Sequence, residues 1–246
     1  MKIQLKWWTL GLAVIVLAGF PGAGEAQDAL EWDAGREQMT RVELSDLLAR
    51  IQANLASTAY GSAIRSQLEQ SSRMIQRRLE EGDFQVGDRI VLVVEGEPQM
   101  SDTLVVRAGQ LVRVPVAGDL DLRGVLRSEL EPAITEHVAH YLRNPAVRAQ
   151  ALIRISVTGE VENPGFYVVP AEVLVTDVLM IAGGPTREAR LDDLIIERGA
   201  TRIWEGAILQ DAIIQGRTLD HLNIQAGDRI SVPREVVRSG WDRFQI

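Results

Sequence analysis

The feature that most limits what this chain can fold into lies at residues 157–185. Strand-like spacing, a forced turn and a helical period follow one another there within thirty positions. Glu162-Asn163-Pro164-Gly165 is the turn. Proline presets φ for its position, and glycine accepts the positive φ that follows. Phe166 to Val169 is aromatic and β-branched, which suits a pleated, half-buried surface. Thr176 is placed to cap a short helix whose apolar positions are Val178, Leu179 and Ile181. Gly183 is placed to stop that helix in the left-handed conformation. Strand, turn, strand and a glycine-stopped helix predict a small α+β unit.

Upstream, the period is first helical and then strand-like. Thr40-Arg41-Val42-Glu43 has the capping-box pattern. Leu44, Leu47, Leu48, Ile51 and Leu55 follow at helical spacing. A break at residues 57–62 precedes a second stripe, Ile64, Leu68, Ile75 and Leu79, which ends near Gly82. Two helices with one short connection predict an antiparallel hairpin over 40–82. Its stripes can pack on each other or on the body, or form an oligomerisation or partner-docking coiled coil. From Asp83 the spacing turns strand-like, and Phe84 to Ile90 runs into a buried strand at Val91 to Val94. Two further strands over 103–107 and 111–116 flank a hairpin tip at Ala108-Gly109. Leu126, Leu130, Ile134, Val138 and Tyr141 predict a helix closed by Asn144-Pro145. Beyond Pro185 the reading is a strand at 194–198, its partner at 201–204, and a helix at 207–214 stopped by Gly216. One segment occurs twice. Phe84-Gln85-Val86-Gly87-Asp88-Arg89-Ile90 and Ile224-Gln225-Ala226-Gly227-Asp228-Arg229-Ile230 both read apolar-Gln-apolar-Gly-Asp-Arg-Ile, a turn that feeds a strand.

Two groups of residues carry a family resemblance. Val157-x-Gly159-Glu160-Val161-x-x-Pro164-Gly165-x-Tyr167, with Ala182-Gly183-Gly184-x-Thr186 after it, resembles the SLBB domain. The Gly87-Asp88-Arg89-Ile90 start, the Leu122-Arg123-Gly124 turn and the helix before Arg143-Asn144-Pro145-Ala146-Val147 resemble the polysaccharide-export domain that precedes it in outer-membrane polysaccharide export proteins. Together the matches run from about Phe84 to Pro233. The resemblance implies a β-grasp fold for the second unit and assembly into rings whose wall includes the SLBB modules. Pore-forming members of that family carry a lipidated N-terminal cysteine and a long C-terminal amphipathic helix. This chain has no cysteine, and residues 234–246 fall short of the roughly 20 that a spanning helix needs. The spacer between Pro145 and Val157 is also short for the family, and the helical hairpin lies outside its pattern.

Composition excludes several classes of chemistry. The net charge of −8 argues against a nucleic-acid partner. Lys2, Lys6, an apolar run over 7–20 and the small residues near Gly24-Glu25-Ala26 form a signal-peptide pattern, with cleavage expected after Ala26. A retained membrane anchor is the alternative. Cleavage would leave −9 and no lysine, which removes Schiff-base lysines and phosphate-loop lysines. The absence of cysteine removes disulfides and thiolate sites.

The candidate chemical groups are sparse. His137 and His140, with Glu136 nearby, could present two imidazoles to a metal, but no third ligand is evident and a solvated polar face is the better reading. His221 stands alone. Glu80-Glu81, Asp192-Asp193 and Asp119 with Asp121 are carboxylate pairs, but glycoside hydrolysis needs a pair about 5 to 9 Å apart across a sugar cleft. Gly183-Gly184 lacks the lysine of a phosphate loop. Phe166, Tyr167, Trp204 and Trp241 could stack on sugar rings, and the first three read equally well as core.

The expected fold is α+β. It comprises a signal peptide at 1–26, a flexible lead at 27–39, the helical hairpin at 40–82, a small β-rich export-like domain at 83–150, an SLBB-like β-grasp domain at 151–233 and a tail at 234–246. The expected function is a non-enzymatic component of capsular or extracellular polysaccharide export, exported to the periplasm or outer-membrane-associated, acting as a homo-oligomer. Its expected partners are a polysaccharide and a separate outer-membrane pore or inner-membrane export component. No catalytic, cofactor or metal residue is assigned, and the ligand residues are left open. The alternatives are a monomeric periplasmic module binding a soluble glycan or partner protein, and an enzyme acting on glycans.

Overall fold

In a computed structural model, residues 38–57 and 61–235 of the chain are described. The signal-peptide pattern, the lead to residue 37 and the tail beyond residue 235, with Trp241, lie outside them.

The described residues open with two helices, α1 (Arg41–Ala56) and α2 (Ser62–Glu81). The capping box forms at α1: the Glu43 amide donates to Thr40 Oγ1 at 3.3 Å, and the Thr40 amide donates to the Glu43 carboxylate at 2.8 Å. These helices pack together and against the body. Leu44, Ile51 and Ile75 are buried with Met39 and Leu126, the last contributed from beyond the first strands. α2 ends at Gly82, where a Cβ would meet the Val125 carbonyl oxygen at 2.5 Å. Ile64, assigned to the α2 stripe, is half exposed and takes no part in this core.

Among the described residues nine strands follow, with three more α-helices. The larger sheet holds β1 (Arg89–Val94), β2 (Asp102–Val105), β5 (Val147–Gly159), β6 (Gly165–Pro170), β7 (Ile195–Arg198), β8 (Thr201–Glu205) and β9 (Arg229–Val232). Their order is β2-β1-β5-β9-β7-β8, with β6 also paired to β5. The strands β3 (Leu111–Val114) and β4 (Gly118–Asp121) form a separate ladder. Helix α3 (Leu130–Val138) packs on β5, α4 (Val175–Ile181) follows β6, and α5 (Gly206–Ile214) follows β8.

β5 holds the two β-rich units together. Its thirteen residues would span about 43 Å at the usual rise of a strand. Residues 147–152 pair antiparallel with β1, 152–157 antiparallel with β6, and 156–159 parallel with β9. Alternate side chains share one face. On that face Val147, Ala149 and Ala151 join the core of Phe84, Ile90, Leu92 and Ile134, whereas Ile153, Ile155 and Val157 join the core of Val169, Val178, Ile196 and Ile230. The short spacer read from the sequence is therefore the interior of a strand. Within the second unit, β9 lies parallel beside β5 and the β5–β6 pair is antiparallel, with α4 packed on their apolar side. This is the β-grasp arrangement. The α+β class and the leading helical hairpin are both present.

Four local readings need correction. α4 starts at Val175, and the Leu174 amide at its cap donates to Asp177 Oδ2 at 3.0 Å, so Asp177, not Thr176, supplies the capping oxygen. The chain turns at Ala108-Gly109 as expected, but the turn is closed by a single antiparallel bridge, Arg107–Leu111, and β2 and β3 form no ladder, because β3 pairs with β4 and β2 with β1. α3 runs only from Leu130 to Val138. Leu126 is claimed by the hairpin core, while Tyr141 lies past the helix end and is exposed. Phe166 is not core: it is 69% exposed.

Candidate functional site

The most concentrated chemistry lies where the hairpin, the export-like unit and the β-grasp unit meet. Arg78 is on α2, Asp83 follows the Gly82 stop, Arg127 precedes α3, and Asp220 lies between α5 and β9. Each is at most 4% exposed. Arg78 donates to both oxygens of Asp83, to Asp220 Oδ1 at 2.6 Å and to the Asp220 carbonyl at 3.0 Å. Arg127 donates to Asp220 Oδ1 at 3.0 Å, to the Ile224 carbonyl at 3.0 Å and, through its amide, to Asp83 Oδ2 at 2.9 Å. Two guanidiniums face two carboxylates, so the cluster is neutral as a whole. Burial pushes the Asp220 carboxyl up, but Arg78 and Arg127 outweigh it and hold the group below the usual carboxylate range. Arg78 is held firmly charged: its two aspartates overcome a desolvation that acts the other way.

The chain entering α1 closes over this seam as a strap. The Met39 amide donates to Asp220 Oδ2 at 2.9 Å, Ser128 Oγ donates to the Met39 carbonyl at 3.0 Å, and Gln38 donates to the buried Glu172. Arg41 then grips Glu129 with two bonds of 2.7 and 2.8 Å and also donates to the carbonyls of Leu79 and Gly124. Such an arrangement fixes three layers in one register. It offers no nucleophile and no open ligand position, so it acts as a structural lock.

The residues singled out from the sequence are placed elsewhere. His137 Nε2 lies 2.9 Å from the Ala117 carbonyl, and His140 Nδ1 lies 3.0 Å from the Glu136 carbonyl, so each ring has a backbone partner. Among the described residues no group of three or more His, Asp or Glu could hold a metal. His221 lies beside the seam with Nδ1 2.7 Å from Thr218 Oγ1, and burial pushes its pKa down. Asp119 pairs with Arg107, Asp121 with Arg123 and Asp193 with Arg190, and Glu80 and Glu81 are exposed. None of these pairs is brought into a cleft.

Gly183 and Gly184 end α4 with φ of 88° and 86°. Their loop receives the Glu162 and Asn163 amides, and a Cβ on Gly183 would meet Asn163 Nδ2 at 2.5 Å. The pair is a close-packing device. Trp204 packs on the β-grasp core and donates to the Leu222 carbonyl at 2.9 Å, and Tyr167 donates to the Asn163 carbonyl. Of the three described aromatics considered for sugar stacking, Phe166 alone is exposed, with the Arg154 guanidinium 4.2 Å from its ring centroid.

Sequence reasoning missed all four members of the seam. Only Arg78 left a trace, as a charged residue three positions after Ile75 on the apolar side of α2.

Comparison with known families fits this architecture. Residues 76–152 match the family described as polysaccharide biosynthesis/export protein, and residues 154–213 match the SLBB domain. No curated protein matches the chain. The first matched segment begins on α2 and ends within β5, and the second starts two residues later on the same strand. With both domains present in this order and joined through β5, the chain carries the polysaccharide biosynthesis/export domain followed by an SLBB domain, a pairing that supports a role in polysaccharide export.

Proposed function

We propose that the chain is a non-enzymatic, periplasmic or outer-membrane-associated component of capsular or extracellular polysaccharide export that acts by oligomeric assembly. The observation that carries this reading is the fusion of the two domains into one block. β5 serves both cores, and the buried seam fixes the hairpin to both. A ring subunit needs such a block, because angular error between domains would accumulate around a closed assembly. Edge strands β2 and β8 at the two ends of the sheet are available for pairing with neighbours. Among the described residues no helix is long and apolar enough to cross a membrane, and we assign the membrane steps to a separate outer-membrane pore or inner-membrane export component.

The modules we assign are the hairpin at 40–82, the export-like module at 83–150 and the SLBB-like module at 151–233. They stand behind the signal peptide and lead and ahead of the tail. The test is the native mass of residues 27–246 across a concentration range, with and without mild detergent. A discrete ring-sized oligomer is expected, alone or with co-expressed export partners. A monomer under all these conditions refutes the assembly reading. It would favour a periplasmic module that binds a soluble glycan or protein, for which the open Phe166 is the supporting observation.

A further inference from the structure

The face of the large sheet that points away from both cores has an unusual charge pattern. The ladder register places Arg89, Arg148, Arg154 and Arg229 on it, together with Phe166 and Val168. Arg229 and Phe166 both lie opposite Ser156, Arg154 lies opposite Val168, and Arg89 lies opposite Leu152. Every charged residue on this face of β1, β5, β6 and β9 is therefore an arginine, in a chain whose net charge is −8. Glu95 pairs with Arg148 at 3.3 Å, and Glu197 with Arg229 at 3.6 Å. Among the described residues Arg89 and Arg154 have no carboxylate partner.

Phe166 lies at the Ser156 end of this row. An exposed aromatic beside a guanidinium presents a flat apolar face and a fork of N–H donors side by side. A sugar ring with a carboxylate substituent needs those two things together: the ring stacks while the carboxylate takes paired hydrogen bonds. Arg229 is level with Phe166 across Ser156, and Arg154 and the Arg89 position opposite Leu152 follow two and four residues away on β5, about 7 and 13 Å along the strand, so the cationic contacts run from the aromatic in one direction along the strand. We propose that this face, built from Phe166, Arg154, Arg89 and Arg229, binds an anionic, carboxylate-bearing segment of the exported polysaccharide. The proposal deepens the export reading and rests on it, since that reading supplies the glycan.

The test uses the full mature chain and three probes of matched length: oligogalacturonate, neutral dextran and inorganic polyphosphate. Affinities are measured for the wild type, Arg154→Gln, Phe166→Ala and, as a distant control, Arg123→Gln. Oligogalacturonate is expected to bind and dextran is not. Arg154→Gln and Phe166→Ala should each weaken oligogalacturonate about tenfold, and Arg123→Gln should leave it unchanged. Polyphosphate binding, if present, should respond to Arg154→Gln but not to Phe166→Ala.

Equal binding of dextran, or no effect of either variant, overturns the proposal. A changed native mass in Phe166→Ala with unchanged glycan affinity also overturns it, by making the face a contact between copies of this chain. The export reading is judged separately, by whether deleting the chain abolishes surface polysaccharide in its host.

Discussion

The loop that enters β1 and the loop that enters β9 share the apolar-Gln-apolar-Gly-Asp-Arg-Ile pattern and the same hydrogen bonds, yet they treat their aspartates differently. In the first, the Gln85 amide donates to Asp88 Oδ2 at 2.8 Å, and the Gly87 amide reaches the Val106 carbonyl at 2.8 Å. In the second, the Gln225 amide donates to Asp228 Oδ2 at 2.8 Å, and the Gly227 amide reaches the Arg154 carbonyl at 2.8 Å. Asp228 is also held by Arg198 through bonds of 2.9 and 2.8 Å. Asp88 has no arginine in contact, and its Oδ1 is buried without a hydrogen-bond partner. Burial accordingly pushes the Asp88 pKa up, against the Gln85 amide and Arg127, which act the other way. The motif encodes a backbone shape that needs one carboxylate oxygen. What becomes of the other oxygen depends on the surrounding fold.

The strongest way to break this comparison is to extend it to the seam, where Asp220 has two arginines. Asp220→Ala leaves Arg78 and Arg127 short of buried countercharge and is expected to cost about 3–5 kcal/mol in a denaturant melt. A loss below about 1 kcal/mol would show that the seam is not a lock. Next comes Arg198→Ala, which strips Asp228 of its cation and should cost about 1.5–3 kcal/mol. A double-mutant cycle of Arg198→Ala with Asp228→Asn should recover most of that as coupling, and independent effects would count against the pairing.

The smallest effect is expected at Asp88. Asp88→Asn keeps an oxygen for the Gln85 amide and removes an unpartnered buried charge, so stability near neutral pH should stay within about 1 kcal/mol of the wild type. The sign with pH is definite. A raised folded pKa means that the wild type loses stability as the pH climbs from about 4 through that pKa. The variant should therefore gain on the wild type over the same range and lose that relative gain in acid. Asp220 runs the other way. Its lowered folded pKa makes its contribution complete above about pH 4 and lost only as the pH falls below that. Opposite pH trends in the two variants would sharpen the comparison, and parallel trends would undo it.

Local and periodic features were legible in the sequence. The helical hairpin, the repeated Gly-Asp-Arg-Ile turn and the glycine stop of α4 each depend on residues within a few positions of one another. The seam was not legible, because Arg78 and Asp220 are 142 positions apart and nothing local marks either as a partner. The continuity of β5 could have been read. Val147, Ala149, Ala151, Ile153, Ile155 and Val157 alternate without a break, but the expectation of a boundary near residue 150 hid that period. Phe166 was misjudged for a different reason. Aromatic character fits a strand on either face, and only the register decides which face meets water.

The shared strand also sets an order in time. Chains usually fold domain by domain from the N-terminus as they emerge. Here α2 carries an arginine whose second carboxylate arrives only with residue 220, and β5 waits for a parallel neighbour that begins at Arg229. Until those late segments appear, the hairpin has no finished surface to settle on and one edge of the long strand stays bare. Any factor that meets this chain during its synthesis will meet it unlatched.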